Sequence, residues 1–154
     1  MNRGALWALG FFIFFTVIME KINDGSLSYD DEVVISQEAS SMGGSQIFLQ
    51  VGDKYKVKEL LKSVAMASAN DAVVALAEKT YGSKESFIEA MNKKAKDLGL
   101  NNTNFVNVHG LDAENHYSSS YDMAQIAMEL IKHEKILEYT SLYEEYLTKP
   151  DGSK

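Results

Sequence analysis

The sequence predicts a mainly α-helical domain with a small β element. Apolar residues recur at helical spacing in successive segments from residue 57 onward, the signature of helices that bury one face. Only two short stretches, Glu32–Ser36 and Ile47–Leu49, carry the β-branched and apolar density of strands. The single proline is Pro150, so nothing earlier in the chain is barred from helix. A chain of 154 residues, 45% apolar and 24% charged, has the size of one domain with one core and the composition of a globular protein.

The stretch Ala5 to Met19 (ALWALGFFIFFTVIM) carries no charge and follows Arg3. A basic start and a short apolar run outline a signal peptide or a membrane anchor. The run nevertheless leads straight into Glu20 and Lys21 without a small-residue cleavage site, and it is shorter than the roughly 18–20 residues a spanning helix needs. Two readings stand: membrane contact through residues 5–19, or a core helix continuing to Ile22 and stopped at Asn23-Asp24-Gly25. The chain divides by composition into an apolar segment 1–20, a domain over 21–149 and a polar end at 150–154.

Within the domain, Glu32–Ser36 is the first expected strand, Ser40–Gln46 (SSMGGSQ) a Gly/Ser loop and Ile47–Leu49 the second strand. Gly52-Asp53 turns the chain into a helix over 57–67, with Leu60, Leu61, Val64 and Ala65 on its apolar face. A second helix covers 71–80, apolar at Val73, Val74, Leu76 and Ala77. Ser83 caps a third, which ends at Gly99 and points Phe87, Ile88, Met91, Ala95 and Leu98 inward and Lys93, Lys94 and Lys96 outward. Residues 101–118 are rich in asparagine and without periodicity, and a loop of that length in a compact domain is usually functional. Ser120 caps a helix through Lys132, with Met123, Ile126, Ala127 and Leu130 inward, and a last helix covers 134–148.

Lys plus Arg number 15 against 22 for Asp plus Glu, a net charge of -7. A nucleic-acid surface needs clustered positive charge to displace counterions, so that class of partner is excluded. Without cysteine there are no disulfides, thiol nucleophiles or Cys-ligated zinc. No G-x-S-x-G, Walker loop or G-x-G-x-x-G occurs, and no cofactor is expected. His109 and His116 share the Asn-rich loop at a spacing that fits no compact metal motif, so they read as surface histidines and no metal site is expected. His133 falls at a helix C-terminus, where a partial cation suits the dipole. Asp30-Asp31 and Glu144-Glu145 read as solvated surface.

Met66–Ala72 (MASANDA) is the most informative segment, joining two helices through Ser68, Asn70 and Asp71. As plain structure, Ser68 ends the first helix and Asn70 or Asp71 caps the second. As a site, the Ser68 hydroxyl and the Asn70 carboxamide are presented together on a tight connection. The hydroxyl can relay a proton and the carboxamide can hold a substrate amide.

Four stretches in this order, ASSMGGSQIFL (39–49), ASANDAVVALAE (67–78), MNKKAKDLGLNNTNFVNVHGL (91–111) and HYSSSYDMAQIA (116–127), resemble the middle of serine-type D-alanyl-D-alanine carboxypeptidases. These are low-molecular-weight penicillin-binding proteins of the peptidase S11 family. The resemblance implies the helical part of the β-lactamase/penicillin-binding transpeptidase-like α+β fold. It further implies serine acyl transfer on peptidoglycan stem peptides ending in D-Ala-D-Ala, binding of β-lactams, and a place in the bacterial cell envelope at the outer face of the cytoplasmic membrane. Such enzymes bring together S-x-x-K, which supplies nucleophile and base, S-x-N and K-T-G.

Matched position by position, Ser68 and Asn70 are the S-x-N pair and are expected to be catalytic. The Ser40–Gln46 loop, with Ser45, matches the loop overhanging the cleft, and His109 a histidine of its rim; both are expected to bind substrate. Counting back from Ile18-Met19-Glu20 without gaps puts S-x-x-K at Ala8 and Phe11, which do not match, and the sequence holds no K-T-G. The expectation is a piece of the carboxypeptidase fold that is inactive by itself and marginally stable, its helices lacking their sheet. The rival expectations are a non-catalytic envelope module that binds stem peptide and a structural partner of a companion chain.

Overall fold

The computed structural model describes residues 6–144, 146–150 and 152, with side chains from Gly10 onward. Leu6–Asn23 forms helix α1. Its apolar residues lie on every side rather than in one stripe, so it must be covered all round. Ile13, Phe14, Phe15, Val17, Ile18 and Met19 are accordingly all buried. Thr16, equally buried, satisfies its hydroxyl by donating to the Phe12 carbonyl at 2.8 Å. Of the two readings of the apolar run, residues 13–19 follow the core helix. Among the described residues no helix is long and apolar enough to cross a membrane. Arg3 and Ala5 lie outside the described residues.

Strands β1 (Glu32–Val34) and β2 (Lys54–Lys56) pair antiparallel, with Val33 opposite Tyr55 as the two buried members. The second strand is therefore not Ile47–Leu49. Phe48 has φ 59, a left-handed conformation incompatible with a strand, and the N–H groups on either side of it go to Asp71 rather than to a ladder. Between the strands, Ser36 caps the single turn α2 (Gln37–Ser40) through the Ala39 N–H at 3.0 Å.

Helix α3 (Val57–Ala67) has the bounds the sequence indicates, and the Glu59 carboxylate accepts the Lys56 N–H at 2.7 Å at its start. Helix α4 (Asn70–Tyr81) is the centre of the molecule: Asn70 to Ala77 are all buried, and α3, α2, β1 and the next helix, at 84–97, pack on it. Helix α5 (Lys84–Asp97) is capped by Ser83, as expected. Lys94, expected on its outer face, instead reaches between Glu20 of α1 and Glu129 of the later helix α6 (Ser120–Leu130), with its side chain only 16% exposed. The paired charges outweigh the position on the helical wheel. The cap of α6 is Ser119, one residue before the expected Ser120.

Residues 101–118 contain no helix, and an isolated bridge between Asn104 and Tyr117 closes the loop. The last helix, α7 (Lys135–Thr140), is shorter than expected. Beyond it residues 141–144 and 146–148 form no helix, and Tyr143 is 99% exposed while Leu142 and Leu147 still rest on the core. His133 lies just past α6 and accepts a hydrogen bond from the Asn23 carboxamide at 2.8 Å. Of the two acidic pairs, Asp30 meets Lys56 and Lys58 at the surface, while Glu145 lies outside the described residues, as do Asp151, Ser153 and Lys154.

Candidate functional site

The α3–α4 connection is two residues long and conformationally unusual. Ser68 ends α3 in the left-handed region (φ 49, ψ 40), its N–H donating to the Val64 carbonyl at 3.0 Å. Glycine or asparagine is the ordinary choice there, and a serine is held at a cost of about 1 kcal/mol or more. The residue that caps α4 is Ala69, which has no side-chain oxygen to offer. Asn70 and Asp71 stand inside the helix, so neither caps it, contrary to the plain structural reading; both side chains cross to the 41–50 loop instead. Ser68 is exposed and Asn70 buried.

Asn70 is tied to the loop by its backbone N–H, which donates to the Ser45 carbonyl at 2.8 Å, and by Nδ2, which donates to the Gly43 carbonyl at 2.8 Å. The Ser45 hydroxyl donates to the Ala67 carbonyl. Gly44 has φ 80, where glycine is favoured, and a Cβ there would lie 2.8 Å from Asn70 Nδ2 and push the carboxamide aside.

Ser68, Asn70 and His109 line one small cavity of about 30 Å³, closed on its apolar side by Phe11, Phe14 and Val108. Three of the four expected site residues thus meet, and Ser45 stands behind Asn70 rather than in the cavity wall. Phe11, where the register places the family's lysine, is part of that wall; the side chain of Ala8 lies outside the description. A wider cavity of about 270 Å³ on the far side of the same turn, lined by Ile47, Met66, Ala67 and Leu147, includes neither Ser68 nor Asn70.

The two loop histidines are not free surface groups. His109 is half-buried, and burial holds its pKa below the usual histidine value, with His116 and Lys84 adding to the effect. His116 is 5% exposed: its Nδ1 accepts the Val106 N–H at 3.2 Å, its Nε2 is buried without a partner, and its ring meets Phe105 edge-on. Among the described residues no three His, Cys, Asp or Glu side chains gather as a metal-binding group. Asp71 is the residue the sequence reading passed over as a cap. Fully buried, it accepts backbone N–H groups from Ile47, Leu49 and Ala72. Its place directly after S-x-N, in a helix start whose cap is alanine, was the available signal.

A family model described as D-alanyl-D-alanine carboxypeptidase, Peptidase S11, matches residues 12–153. The chain belongs to the peptidase S11 family. D-alanyl-D-alanine carboxypeptidase DacF of Bacillus subtilis is 53% identical over 90% of this chain and 36% of its own length. Penicillin-binding protein 5 from Haemophilus influenzae superposes with a TM-score of 0.78 at 36% identity, over 86% of this chain and 39% of that one. A peptidoglycan synthesis regulatory factor (PBP3) from Streptococcus pneumoniae gives 0.84 at 28% identity, over 92% and 44%. The chain spans about a third of the length of the curated relatives it matches. Its fold is the helical part of the penicillin-binding, transpeptidase-like architecture, and the S11 relatives are bacterial cell-wall enzymes.

Proposed function

We propose that this S11 chain forms the S-x-N wall of a D-alanyl-D-alanine carboxypeptidase cleft, acting on peptidoglycan stem peptides at the outer face of the cytoplasmic membrane. The observation that carries the reading is the Ser68–Asn70 turn. An exposed hydroxyl stands on a strained left-handed residue, beside a buried carboxamide whose Nδ2 is fixed by the overhanging loop. Strain of this kind persists where the surroundings impose it, and it gathers at functional sites.

In the reaction, a serine oxygen attacks the penultimate D-Ala carbonyl and the C–N bond to the terminal D-Ala breaks. The departing amine takes a proton, and water then hydrolyses the acyl ester. Ser68 relays the proton to the amine, Asn70 holds the substrate amide, and His109 and Ser45 shape the rim. Ala8 and Phe11 supply neither nucleophile nor base, and the loss of both from such a unit costs on the order of 10⁶ in rate, so residues 1–154 by themselves are inactive.

Two measurements test this. A fluorescent penicillin leaves the purified 154-residue chain unlabelled, and covalent labelling would refute the inactivity. A peptide ending in D-Ala-D-Ala binds saturably and more weakly to Asn70→Ala; no binding to the unaltered chain removes the substrate assigned to this turn.

A further inference from the structure

We propose that Asp71 is a positioning residue for the S-x-N wall: its carboxylate fixes the overhanging loop, and the loop in turn aims the Asn70 carboxamide. The inference rests on the reading of Ser68 and Asn70 just given.

A carboxylate with no exposed surface persists only where its oxygens are hydrogen-bonded. Asp71 Oδ2 receives the Ile47 and Leu49 N–H groups, both at 3.1 Å, and Oδ1 receives the Ala72 N–H at 2.9 Å. In an extended strand the N–H groups of alternate residues lie about 6.6 Å apart and cannot share one oxygen. The left-handed Phe48 folds the chain between them so that the two N–H groups converge on one oxygen. Phe48 is large and 64% exposed, so its own packing does not impose that conformation. The N–H groups on either side of it converge on the carboxylate.

Asp71 also occupies the first turn of α4, where the unpaired helix N–H groups favour a negative charge. That turn carries Asn70. The two neighbouring side chains therefore grip two halves of one loop: Asn70 engages residues 43–45, and Asp71 engages 47 and 49. With Nδ2 committed to the Gly43 carbonyl, the carboxamide plane is set, and the loop's placement sets it. Loosening the half held by Asp71 shifts the half that orients Asn70. An anchor of purely local effect would loosen residues 47–49 and leave the carboxamide as it was.

The test is NMR on the ¹⁵N-labelled 154-residue chain and its Asp71→Asn and Asp71→Glu variants, each titrated with a peptide ending in D-Ala-D-Ala. Asp71→Asn keeps the size but turns one acceptor into a donor facing N–H groups. The Ile47 and Leu49 amides then exchange about tenfold faster, the size of one lost charge-assisted hydrogen bond. The Asn70 side-chain amide loses its protection and peptide affinity falls about tenfold, while mid-helix amides of α3 and α4 stay protected. Asp71→Glu recovers part of each loss. Loosened loop amides with an unchanged Asn70 carboxamide and unchanged affinity would overturn the proposal.

If Asp71→Asn does not fold, the unaltered chain decides: the Ile47 and Leu49 amides and the Asn70 carboxamide must open together, with one denaturant dependence. Independent opening overturns the proposal. Failure of the unaltered chain to bind peptide counts against the substrate reading alone, and the Asn70 carboxamide still judges Asp71.

Discussion

One loop, 101–118, lines the pocket through Val108 and His109, another, 41–50, backs Asn70, and each is held by a buried aspartate in the first turn of a helix. Asp71 of α4 gathers Ile47 and Leu49 of the 41–50 loop, while Asp122 of α6 accepts the Asn102 N–H at 2.9 Å and the Thr103 hydroxyl at 2.7 Å. Both carboxylates are almost wholly out of solvent, at 0% and 2% exposure. The loops differ in what else holds them. Asn92 clasps Phe105 from both sides, accepting its N–H at 2.9 Å and donating to its carbonyl at 2.8 Å, and the Asn104–Tyr117 bridge and His116 add further ties. Residues 47–49 have a left-handed kink whose flanking N–H groups share one carboxylate oxygen. The other ties of the 41–50 loop fall on residues 43–45, so at 47 and 49 the carboxylate is the acceptor of both N–H groups, whereas the 101–118 loop has further ties close to those of Asp122.

The sharpest way to break this comparison is to delete each carboxylate. Asp71→Ala leaves the buried Leu49 N–H and the partly buried Ile47 N–H without their acceptor, the former at about 1–3 kcal/mol, and we expect a loss of about 3 kcal/mol in urea unfolding. Asp122→Ala, whose loop keeps its other ties, should cost about 1–2 kcal/mol. Equal losses would end the distinction.

A second experiment strikes one loop only. A Cβ on Gly10 would sit 2.8 Å from both the Cα and the N of Gly110, so Gly10→Ala forces backbone apart and should cost about 2 kcal/mol. Amide shifts should move at residues 108–111 and not at 43–49; movement at both would show that the loops are coupled.

The smallest expected effect is pH dependence. Burial holds His116 below the usual histidine range, with Asp112 opposing, and holds His109 low as well. The unfolded chain takes these protons near pH ~6.5 while the folded chain does not. Their contribution to stability is therefore complete above that pH and declines as pH falls toward the folded values. Tm should drop between pH 7 and 5, with amides of 101–118 losing protection before those of 41–50. His116→Gln should flatten the slope. An unchanged slope would remove the histidine from the account.

What was legible in the sequence is what depends on near neighbours along the chain. The bounds of α3, the Ser83 cap and the Ser68–Asn70 pair follow from periodicity, capping chemistry and motif. The second strand was hidden because Lys54-Tyr55-Lys56 has a single apolar residue, whereas Ile47-Phe48-Leu49 has the apolar density of a strand and a backbone kink that forbids one. Lys94 looked solvated because its acidic partners lie 74 and 35 positions away. Asp71 read as a cap because its true partners precede it by 22 and 24 residues. His116 read as surface because neither its hydrogen bond to Val106 nor its contact with Phe105 is visible in a loop without period. In each case the missing information was a partner distant in the chain.

The contact of Gly10 with Gly110 has a mechanical consequence. No side chain lies between the two backbones, so no change of rotamer can absorb a displacement of one against the other. Helix α1 and the tip of the 101–118 loop therefore behave as one stiff lever at that point: pushing on the helix there carries the neighbouring His109 with it. Phe11 rides on the same lever one residue further along. Pushed toward the loop, α1 displaces both walls that these residues supply; pulled away, it leaves the loop behind, because a van der Waals contact transmits compression and not tension.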